Sequence, residues 1–495
     1  MIKRFLALFL VIVFVVSIFA SCVDTSANAE DTTAEETTAE ETTAEETTAE
    51  ETTAEETTAE ETTAEETTAE ETTAEETTAE EEEPFEETIP TIYMYDLGSS
   101  IPLADLQKSQ GEIVVKYVYN SGSKDIESFE CYCEIKIQGA SSAGYPKKNF
   151  TVKFFKDADL ESKLKVDLGW GKENKYCMKA NYVDSSQARN VIGAKLFAEV
   201  VASRENINPG LLNAPNYGVI DGYPVLVYIN DEFHGIYTMN IPKDDWMFGM
   251  EGDEGSKEAL LMADQWSESV RLKEEIGETY EGSGWEVEYC STDDDSWVKE
   301  SFNELIALIN CGDNERIKAE LADHLDIEAA IDNMLFTYFI SAADNLAKNV
   351  LWATYDGKVW IPSMYDMDGT FGIYFNGQPL GTNTAYDAVP NCPTVNAAGY
   401  IGLEPTASKL YTILIQCFAD EVEARWRFLR QDILTVENAS KIFDEFFEKI
   451  PKEVYGQDFE KWPYVPYFDN NLKSMYRFLE AHTPRLDRFF NNFNK

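Results

Sequence analysis

Apolar and polar positions alternate with a period of two over much of residues 112–239, and many of the apolar residues are β-branched or aromatic. This pattern predicts half-buried antiparallel strands. The expected strands are residues 112–119, 132–138 and 150–155, followed by a hairpin of 225–230 with 235–239. One helix interrupts them at residues 188–201, and Asp184 or Ser185 is placed to cap its first turn.

Later in the chain the apolar positions recur with the spacing of amphipathic helices. The predicted helices are residues 297–309, 314–324, 327–342, 407–429, 437–449 and 472–492. Among them lies a strand pair, 350–355 and 358–361, joined by Asp356-Gly357, a dipeptide typical of hairpin turns. The patterns together predict an α+β, bilobal protein, with a strand-rich N-lobe at about 88–240 and a helical C-lobe at about 241–495.

The N-terminus has the pattern of an exported protein. Residues 1–4 are basic at Lys3 and Arg4, residues 5–19 are almost wholly apolar, and Ala20-Ser21 precede Cys22. An apolar stretch of about 15 residues is shorter than a spanning helix needs, so residues 1–21 are predicted to be a signal peptide. An uncleaved anchor is the alternative. Small residues directly before Cys22 resemble the lipobox of bacterial lipoproteins, which implies a lipid anchor on the extracytoplasmic face of the membrane.

Ten consecutive copies of Thr-Thr-Ala-Glu-Glu occupy residues 32–81. A period of five matches neither a helix nor a strand, and alanine is the only apolar residue, so no face can bury enough surface to offset ordering of the backbone. The glutamates repel one another and extend the chain. Residues 22–87 are therefore predicted to form a disordered acidic linker that holds a folded domain, residues 88–495, away from the membrane.

Composition narrows the function of the folded part. The chain of 495 residues has 91 acidic and 40 basic residues, a net charge of −51, of which about half belongs to residues 1–87. Such a balance argues against binding to nucleic acid, which requires a concentrated basic surface. Three histidines and no Cys-x-x-Cys motif make a structural zinc site improbable. Seven cysteines after Cys22 are an odd number and do not form a disulfide framework.

Acidic and amide side chains flank the strand pair at 350–361. Asp344 and Asn349 precede it, and Asp366 and Asp368 follow it in the segment Asp-Met-Asp-Gly-Thr-Phe-Gly. A hairpin folds back on itself, so these two groups should lie close together. The Asp-x4-Asn spacing is that of the protein-kinase catalytic loop, and carboxylate and amide oxygens suit Mg²⁺. The pattern predicts a metal-dependent site for phosphoryl transfer.

Other uses of these carboxylates remain open at this point. The Asp366-Met-Asp368-Gly segment could be a calcium-binding loop, although the further ligands of an EF-hand are missing. It could also be a turn with solvated carboxylates. A carboxylate pair for glycoside hydrolysis is a third reading, because the chain is predicted to be exported and is rich in aromatic residues.

Five segments, in family order, resemble the spore-coat-protein-H (CotH) kinase family. They are residues 138–154, 180–190, 227–237, 344–349 and 361–372. Members of this family are atypical protein kinases with a kinase-like fold. They use ATP and a divalent metal to phosphorylate serine residues, in some cases on spore-coat proteins. The resemblance therefore implies ATP, with Mg²⁺ or Mn²⁺, as the cofactors of this chain.

The resemblance also implies roles for single residues. Asp344 would be the catalytic base, and Asn349, Asp366 and Asp368 would hold the metal. The predicted nucleotide-binding residues are Gly139, Ser141, Ser142 and Lys148, with Lys147 and Lys153 as rivals for the phosphate-binding lysine. The family hinge that faces adenine would be residues 227–237. A helix that opens near the cleft would carry Asn181, Asp184, Arg189 and Asn190, where Asp184 is either an N-cap or a functional residue.

The function predicted from these features is transfer of the γ-phosphate of ATP to Ser or Thr of surface or coat proteins by a lipid-anchored atypical kinase. One alternative is a catalytically silent surface protein that binds a coat, cell-wall or polysaccharide partner. A second alternative is a carbohydrate-active hydrolase. Binding of nucleotide with metal distinguishes the first function from both alternatives.

Overall fold

The computed structural model describes residues 87–99, 101–252, 255–379, 394–395, 401–402, 407–463 and 471–491. The predicted signal peptide, the lipidated Cys22 and the repeats of the linker lie outside the described residues. All the described residues belong to one unit, Glu82–Lys495. In the described ranges, no helix combines the length and the apolar character needed to cross a membrane.

The N-terminal strands close into a barrel. The strands of this region are β1 (Thr91–Asp96), β2 (Glu112–Asn120), β3 (Phe129–Gln138), β4 (Asn149–Phe155), β5 (Val166–Asp167), β6 (Lys172–Glu173), β7 (Lys175–Lys179), β8 (Gly222–Ile229) and β9 (Glu232–Asn240). The barrel order is β1-β2-β3-β4-β7-β9-β8, while β5 and β6 pair only with each other. Alternate residues such as Val115, Tyr117, Cys133 and Ile135 are fully buried inside it. The period of two thus arises because each strand turns one face to the barrel interior.

Closure of the barrel depends on two strands that the sequence pattern did not predict, β1 and β7. β1 pairs antiparallel with β2 and parallel with β8, so it joins the two edges of an otherwise antiparallel sheet. Closure leaves no unpaired edge strand. The predicted hairpin is confirmed as β8 and β9. Its turn is shorter than expected, because Asn230 and Asp231 have φ of 51° and 64°, the left-handed values of a two-residue turn.

The α-helices follow the predicted order, but one predicted helix is divided and two short helices were not predicted. They are α1 (Arg189–Ala202), α2 (Pro209–Asn213), α3 (Ser296–Ile309), α4 (Asn314–Glu320), α5 (Ile327–Phe339), α6 (Lys409–Cys417), α7 (Ala419–Asp432), α8 (Val436–Phe447), α9 (Lys452–Lys461) and α10 (Asn471–Phe490). The prediction of one helix over 407–429 is wrong, because the backbone of Phe418 leaves the helical region between α6 and α7. The amphipathic pattern also missed α9.

The predicted strand pair belongs to a larger sheet. The remaining strands are β10 (Ala259–Ala263), β11 (Trp285–Cys290), β12 (Val350–Thr354), β13 (Ile361–Met364), β14 (Thr394–Val395) and β15 (Ile401–Gly402). The order β11-β10-β12-β13 makes a four-stranded sheet, in which β12 and β13 are the predicted pair. Their connection runs from Tyr355 to Trp360 and is therefore longer than the two-residue turn expected at Asp356-Gly357.

Helix α5 lies at the centre of the helical region. Eleven of its residues are buried, most of them apolar, such as Met334, Leu335 and Phe336, and the buried Asp332 pairs with Arg204 and Arg425. It packs against β13, α1 and α7. Strands and helices therefore share one protein, as the α+β prediction required. Of the cysteines in the described residues, all six are free, and Cys392 lies outside these residues.

A buried histidine on α10 predicts sensitivity to acid. The Nε2 atom of His482 lies 2.7 Å from the Tyr338 carbonyl oxygen, and burial lowers the pKa of His482 from 6.5 to about 4. The unfolded chain takes up this proton at the higher pH, so stability is lost as pH falls from 6.5 towards 4. We expect the contribution of His482 to fall by about 2 kcal/mol between pH 7 and pH 5. Urea unfolding of wild type and His482→Gln at both pH values measures it. Equal pH slopes for the two proteins would contradict the prediction.

Candidate active site

A cavity of about 610 Å³ lies where the barrel meets the helical region. Seven of the eight residues predicted to be catalytic, metal-binding or nucleotide-binding line it. They are Gly139, Ser141 and Ser142 from the β3–β4 loop, Asp344 and Asn349 before β12, and Asp366 and Asp368 after β13. Lys148 is the exception. The tertiary fold thus brings together segments that are more than 200 residues apart in the sequence.

The ends of the β12–β13 pair meet as the hairpin argument expected. Val350 pairs with Met364, and one step further the Tyr365 amide donates to the Asn349 carbonyl oxygen at 3.1 Å. Asn345 joins the segments before β12 and after β13, because its Nδ2 donates to the carbonyl oxygens of Tyr365 at 2.6 Å and Asn349 at 3.3 Å. Asp344 and Asn349 are therefore held beside Asp366. Asn345 was not foreseen, although it follows Asp344 directly.

Backbone conformation directs two of these side chains. Asn349 has a φ of 55° and Asp366 a φ of 53°, in the left-handed region that residues other than glycine seldom adopt. Asn349 directly precedes β12 and Asp366 lies two residues after β13, so the left-handed conformation falls where the alternation of strand side chains begins and ends. Strained residues of this kind concentrate at functional sites. We interpret the pair as a feature of the site rather than of the sheet.

Three donors orient the carboxylate of Asp344. The Lys348 ammonium lies 2.7 Å from Oδ2, and Trp266 donates its indole N–H to Oδ1 at 3.3 Å. Asn349 donates its Nδ2 to Oδ2 at 3.1 Å. Because the amide nitrogen of Asn349 is used in this way, its Oδ1 is the atom that remains to bind a metal. The Asp-x4-Asn spacing thus corresponds to a direct contact between the two residues.

The second acidic group contains one carboxyl that resists ionisation. Burial raises the pKa of Asp368, and the nearby charge of Asp366 raises it further. Lys179 is the cation that opposes this repulsion. Burial alone would lower the pKa of Lys179, but Tyr365 and Asp366 outweigh burial and raise the pKa above its ordinary value. Lys179 is therefore a charged group of the cavity at neutral pH.

The sequence analysis missed Lys179. It is the last residue of β7, and its Nζ donates to the Tyr365 hydroxyl at 3.4 Å. The ring of Tyr365 lies between two ammonium groups, those of Lys179 and Lys243, each 5.4 Å from the ring centre. The available signal was its position one residue before the 180–190 segment that resembles the CotH family.

The donor set suits a divalent cation. Two carboxylates and an amide oxygen are the hard ligands that Mg²⁺ and Mn²⁺ prefer, and the repulsion that raises the pKa of Asp368 is relieved by positive charge. In the parts of the chain that the structure describes, no group of three His, Cys, Asp or Glu side chains could hold a metal by itself. Such a site therefore requires further oxygen ligands, which the phosphates of a nucleotide supply.

The β3–β4 loop has the form of an anion cradle. Residues Ser142–Gly144 make a short 3-10 turn, and Gly139 has a φ of 109°. A Cβ at Gly139 would overlap the Ser142 hydroxyl oxygen, so this position requires glycine. The Lys108 ammonium contacts the Gly139 carbonyl oxygen. Ser141 and Ser142 of this compact loop line the cavity, and hydroxyl and amide groups of such a loop are suited to binding phosphate.

None of the three lysines that were candidates for the phosphate contact presents its ammonium to the cavity. The Lys148 ammonium donates to the Ala143 carbonyl oxygen at 2.8 Å, so it is used within the loop itself. The Lys147 ammonium is buried and lies 2.9 Å from the Asp458 carboxylate. Lys153 pairs with Glu134 at 2.7 Å. Lys148 is not among the residues that line the cavity, whereas Lys179 is.

The residues that open α1 have structural roles. The N-cap residue of α1 is Ala188 and not Asp184. Asp184 pairs with Arg189 and accepts the amides of Ala188 at 3.1 Å and Arg189 at 2.9 Å, so its carboxylate satisfies two amides at the start of the helix. The Arg189 Nε donates to the Thr370 carbonyl oxygen at 2.9 Å, and the Asn190 side-chain oxygen accepts the Met367 amide at 2.9 Å. The start of α1 thus fixes the segment that carries Asp366 and Asp368.

The expected adenine-facing hinge is in a different place. Residues 227–237 form part of β8 and β9, and none of them is among the residues that line the cavity. Tyr237 is fully buried in the barrel, where it packs against Phe150. The segment predicted to be the hinge therefore lies outside the lining of this cavity.

The fold and the cavity define an α+β protein whose barrel and helical region share one charged site. A family model described as CotH kinase protein matches residues 135–484, well over half of the chain and all the residues of the site discussed above except Lys108. The chain belongs to the CotH kinase family. Among proteins of curated function, none matches its sequence significantly.

Proposed function

We propose that the chain is an atypical kinase that transfers the γ-phosphate of ATP to a Ser or Thr hydroxyl of a surface or coat protein. The observation that carries this proposal is the shared cavity, which joins an oriented aspartate, two facing carboxylates, a lysine and a glycine-serine loop. The barrel would serve as the N-lobe and the helical region as the C-lobe of a kinase-like arrangement. Membership of the CotH kinase family supports the same class of reaction.

Each group has a part that follows from its contacts. Asp344 would accept the proton of the acceptor hydroxyl, because Lys348 and Trp266 hold its carboxylate in one orientation. The β3–β4 loop and Lys179 would bind phosphate oxygens. Phosphoryl transfer requires positioning and charge neutralisation more than covalent chemistry, and rigidly held groups provide both.

A divalent metal would be held by Asn349, Asp366 and Asp368. When bound, it supplies neutralisation of the charge on the β- and γ-phosphates. We further propose that the protein is exported, anchored by lipid at Cys22 and held off the extracytoplasmic face of a bacterial membrane by residues 22–87. Mass spectrometry of the processed N-terminus tests this location.

Nucleotide binding tests the function, and Lys179→Met tests the phosphate-binding lysine. ATP with Mn²⁺ at 100 times its Kd should stabilise wild type by about 2.7 kcal/mol, seen as a rise in melting temperature. Loss of one charge-assisted contact should weaken the affinity of Lys179→Met by about 10- to 100-fold.

The matched control is Lys195→Met. Lys195 lies on α1, pairs with Asp221 at 2.7 Å and is not among the residues that line the cavity. This variant should bind nucleotide as wild type does. If wild type shows no shift with millimolar nucleotide and metal, the proposed kinase function is wrong and a silent binding protein is favoured. Release of reducing sugar from glycans would favour the hydrolase.

A further inference from the structure

A fully buried ion pair joins helix α9 to the barrel. The Asp458 carboxylate is 1% exposed and accepts hydrogen bonds from the Lys147 ammonium at 2.9 Å and the Ile236 amide at 2.8 Å. The Lys147 side chain is 0% exposed, and its Nζ also donates to the Ile236 carbonyl oxygen at 2.6 Å. The two charged residues are 311 positions apart in the sequence.

This pair is a costly way to attach a helix. Removing two charges from water carries a large desolvation penalty, and apolar residues of similar volume often stabilise a protein as well or better. A buried charge that has lost its partner is strongly destabilising. The pair therefore selects one exact arrangement of α9 on the barrel, more than it adds to the strength of docking.

Other contacts confirm that α9 has a single register on β9. A Cβ at Gly235 would lie 2.5 Å from the Asp458 Oδ1 and 2.9 Å from the Lys147 Cε, so only glycine permits this approach. At the end of α9, the Lys461 ammonium donates to the Phe233 carbonyl oxygen at 2.7 Å, and the Trp462 indole donates to that of His234. Consecutive residues of β9 thus receive polar contacts from one end of the helix.

The same helix is connected to the β3–β4 loop by two routes. The first route starts at Asp458, which pairs with Lys147. Lys147 directly precedes Lys148, whose ammonium donates to the Ala143 carbonyl oxygen in the loop. The second route starts at Pro463, just after α9, whose carbonyl oxygen accepts the Tyr182 hydroxyl at 3.0 Å. The Tyr182 ring stacks on Tyr145 of the loop with 5.2 Å between ring centres. Both tyrosines and Lys147 line the cavity.

We propose that Asp458 is a positioning residue, through which α9 holds the β3–β4 loop in the conformation that receives phosphate. The C-terminal part of the chain thereby completes a site built largely on the barrel. The inference rests on the proposed function for its effect on catalysis, while the effect on the loop itself is independent of it.

Hydrogen–deuterium exchange of the unliganded protein tests the positioning. In Asp458→Asn, the amides of residues 139–145 should exchange faster than in wild type, because the loop loses its anchor. The matched control is Glu453→Gln, which removes an exposed carboxylate from the same helix. It should exchange like wild type over this segment. Faster exchange only in α9 of Asp458→Asn, with residues 139–145 unchanged, would overturn the proposal.

Steady-state kinetics provide the second readout. A loop displaced by about 1 Å should raise the KM for ATP of Asp458→Asn by about 10- to 100-fold, with a smaller change in kcat at saturating ATP. If this variant does not fold, Tyr182→Phe removes only the hydroxyl contact to Pro463 and should also speed exchange over residues 139–145. Equal exchange in Tyr182→Phe and wild type would then overturn the proposal.

The two readouts separate the two claims. If wild type binds nucleotide but exchange over residues 139–145 is unaffected in Asp458→Asn, the positioning role is wrong and the proposed function stands. If exchange rises as expected but wild type neither binds nucleotide nor transfers phosphate, the positioning role stands and the proposed function is wrong.

Discussion

Asp344→Asn is expected to lower the rate of phosphate transfer by a factor of about 10² to 10⁴ while nucleotide binding persists. The substitution keeps the size of the side chain but removes the carboxylate that would accept the proton of the acceptor hydroxyl. It also removes the ion pair with Lys348, which lies 2.7 Å from Asp344. Transfer of labelled γ-phosphate to a serine-rich peptide, or to the protein itself, measures the effect.

The control for this experiment is Asp323→Asn, at an exposed position of the helical region. It removes one carboxylate from the same chain and should transfer phosphate at the wild-type rate. Retention of more than about a tenth of wild-type transfer by Asp344→Asn would exclude Asp344 as the base, given the size of general-base effects. Loss of nucleotide binding in that variant would instead point to a role in the ground-state complex.

Asp366→Asn should remove most of the stabilisation of the protein by nucleotide with metal. Removing one partner of a charged contact costs about 2–5 kcal/mol, which corresponds to at least about a 30-fold loss of affinity. The melting temperature of the unliganded protein should change less, because the variant loses both the repulsion between Asp366 and Asp368 and the attraction between Asp366 and Lys179. Melting temperatures with and without ATP and Mn²⁺ separate the two effects.

The same measurement on Asp368→Asn shows which of the two aspartates contributes more to metal binding. A nucleotide-dependent shift of wild-type size in Asp366→Asn would remove Asp366 from the metal site. A fall in the melting temperature of the unliganded variant would show that the Asp366 carboxylate supports the fold. The first of these results would contradict the proposed metal site.

Local patterns predicted much of the fold because they report which face of an element is buried. The strands over 112–155, the β8–β9 hairpin and the helix at 188–201 were found within a few residues of their true ends. β1 and α9 were missed for a different reason. β1 is defined by the two strands that it joins, and α9 buries one charged residue, Asp458, so neither has a strong pattern of its own.

The candidate site was predictable to the extent that it lies around one hairpin. The chain before and after β12–β13 had to return to the same place, which brought Asp344 near Asp366. The phosphate-binding lysine could not be chosen in this way, because a long side chain turns towards whichever charge the fold places near it. Lys147 meets Asp458, 311 residues away, and only the tertiary structure shows that contact.

The amino-acid sequence alone determined the family, the α+β class and the acidic and amide residues around the hairpin, because each depends on residue types at short spacings. The tertiary structure decided that the N-terminal sheet closes into a barrel, that Lys179 and not Lys148 lines the cavity, and that Lys147 pairs with Asp458 on α9. Those outcomes depend on which distant surfaces become neighbours, and the desolvation and pairing of their charges is settled only when the chain has folded.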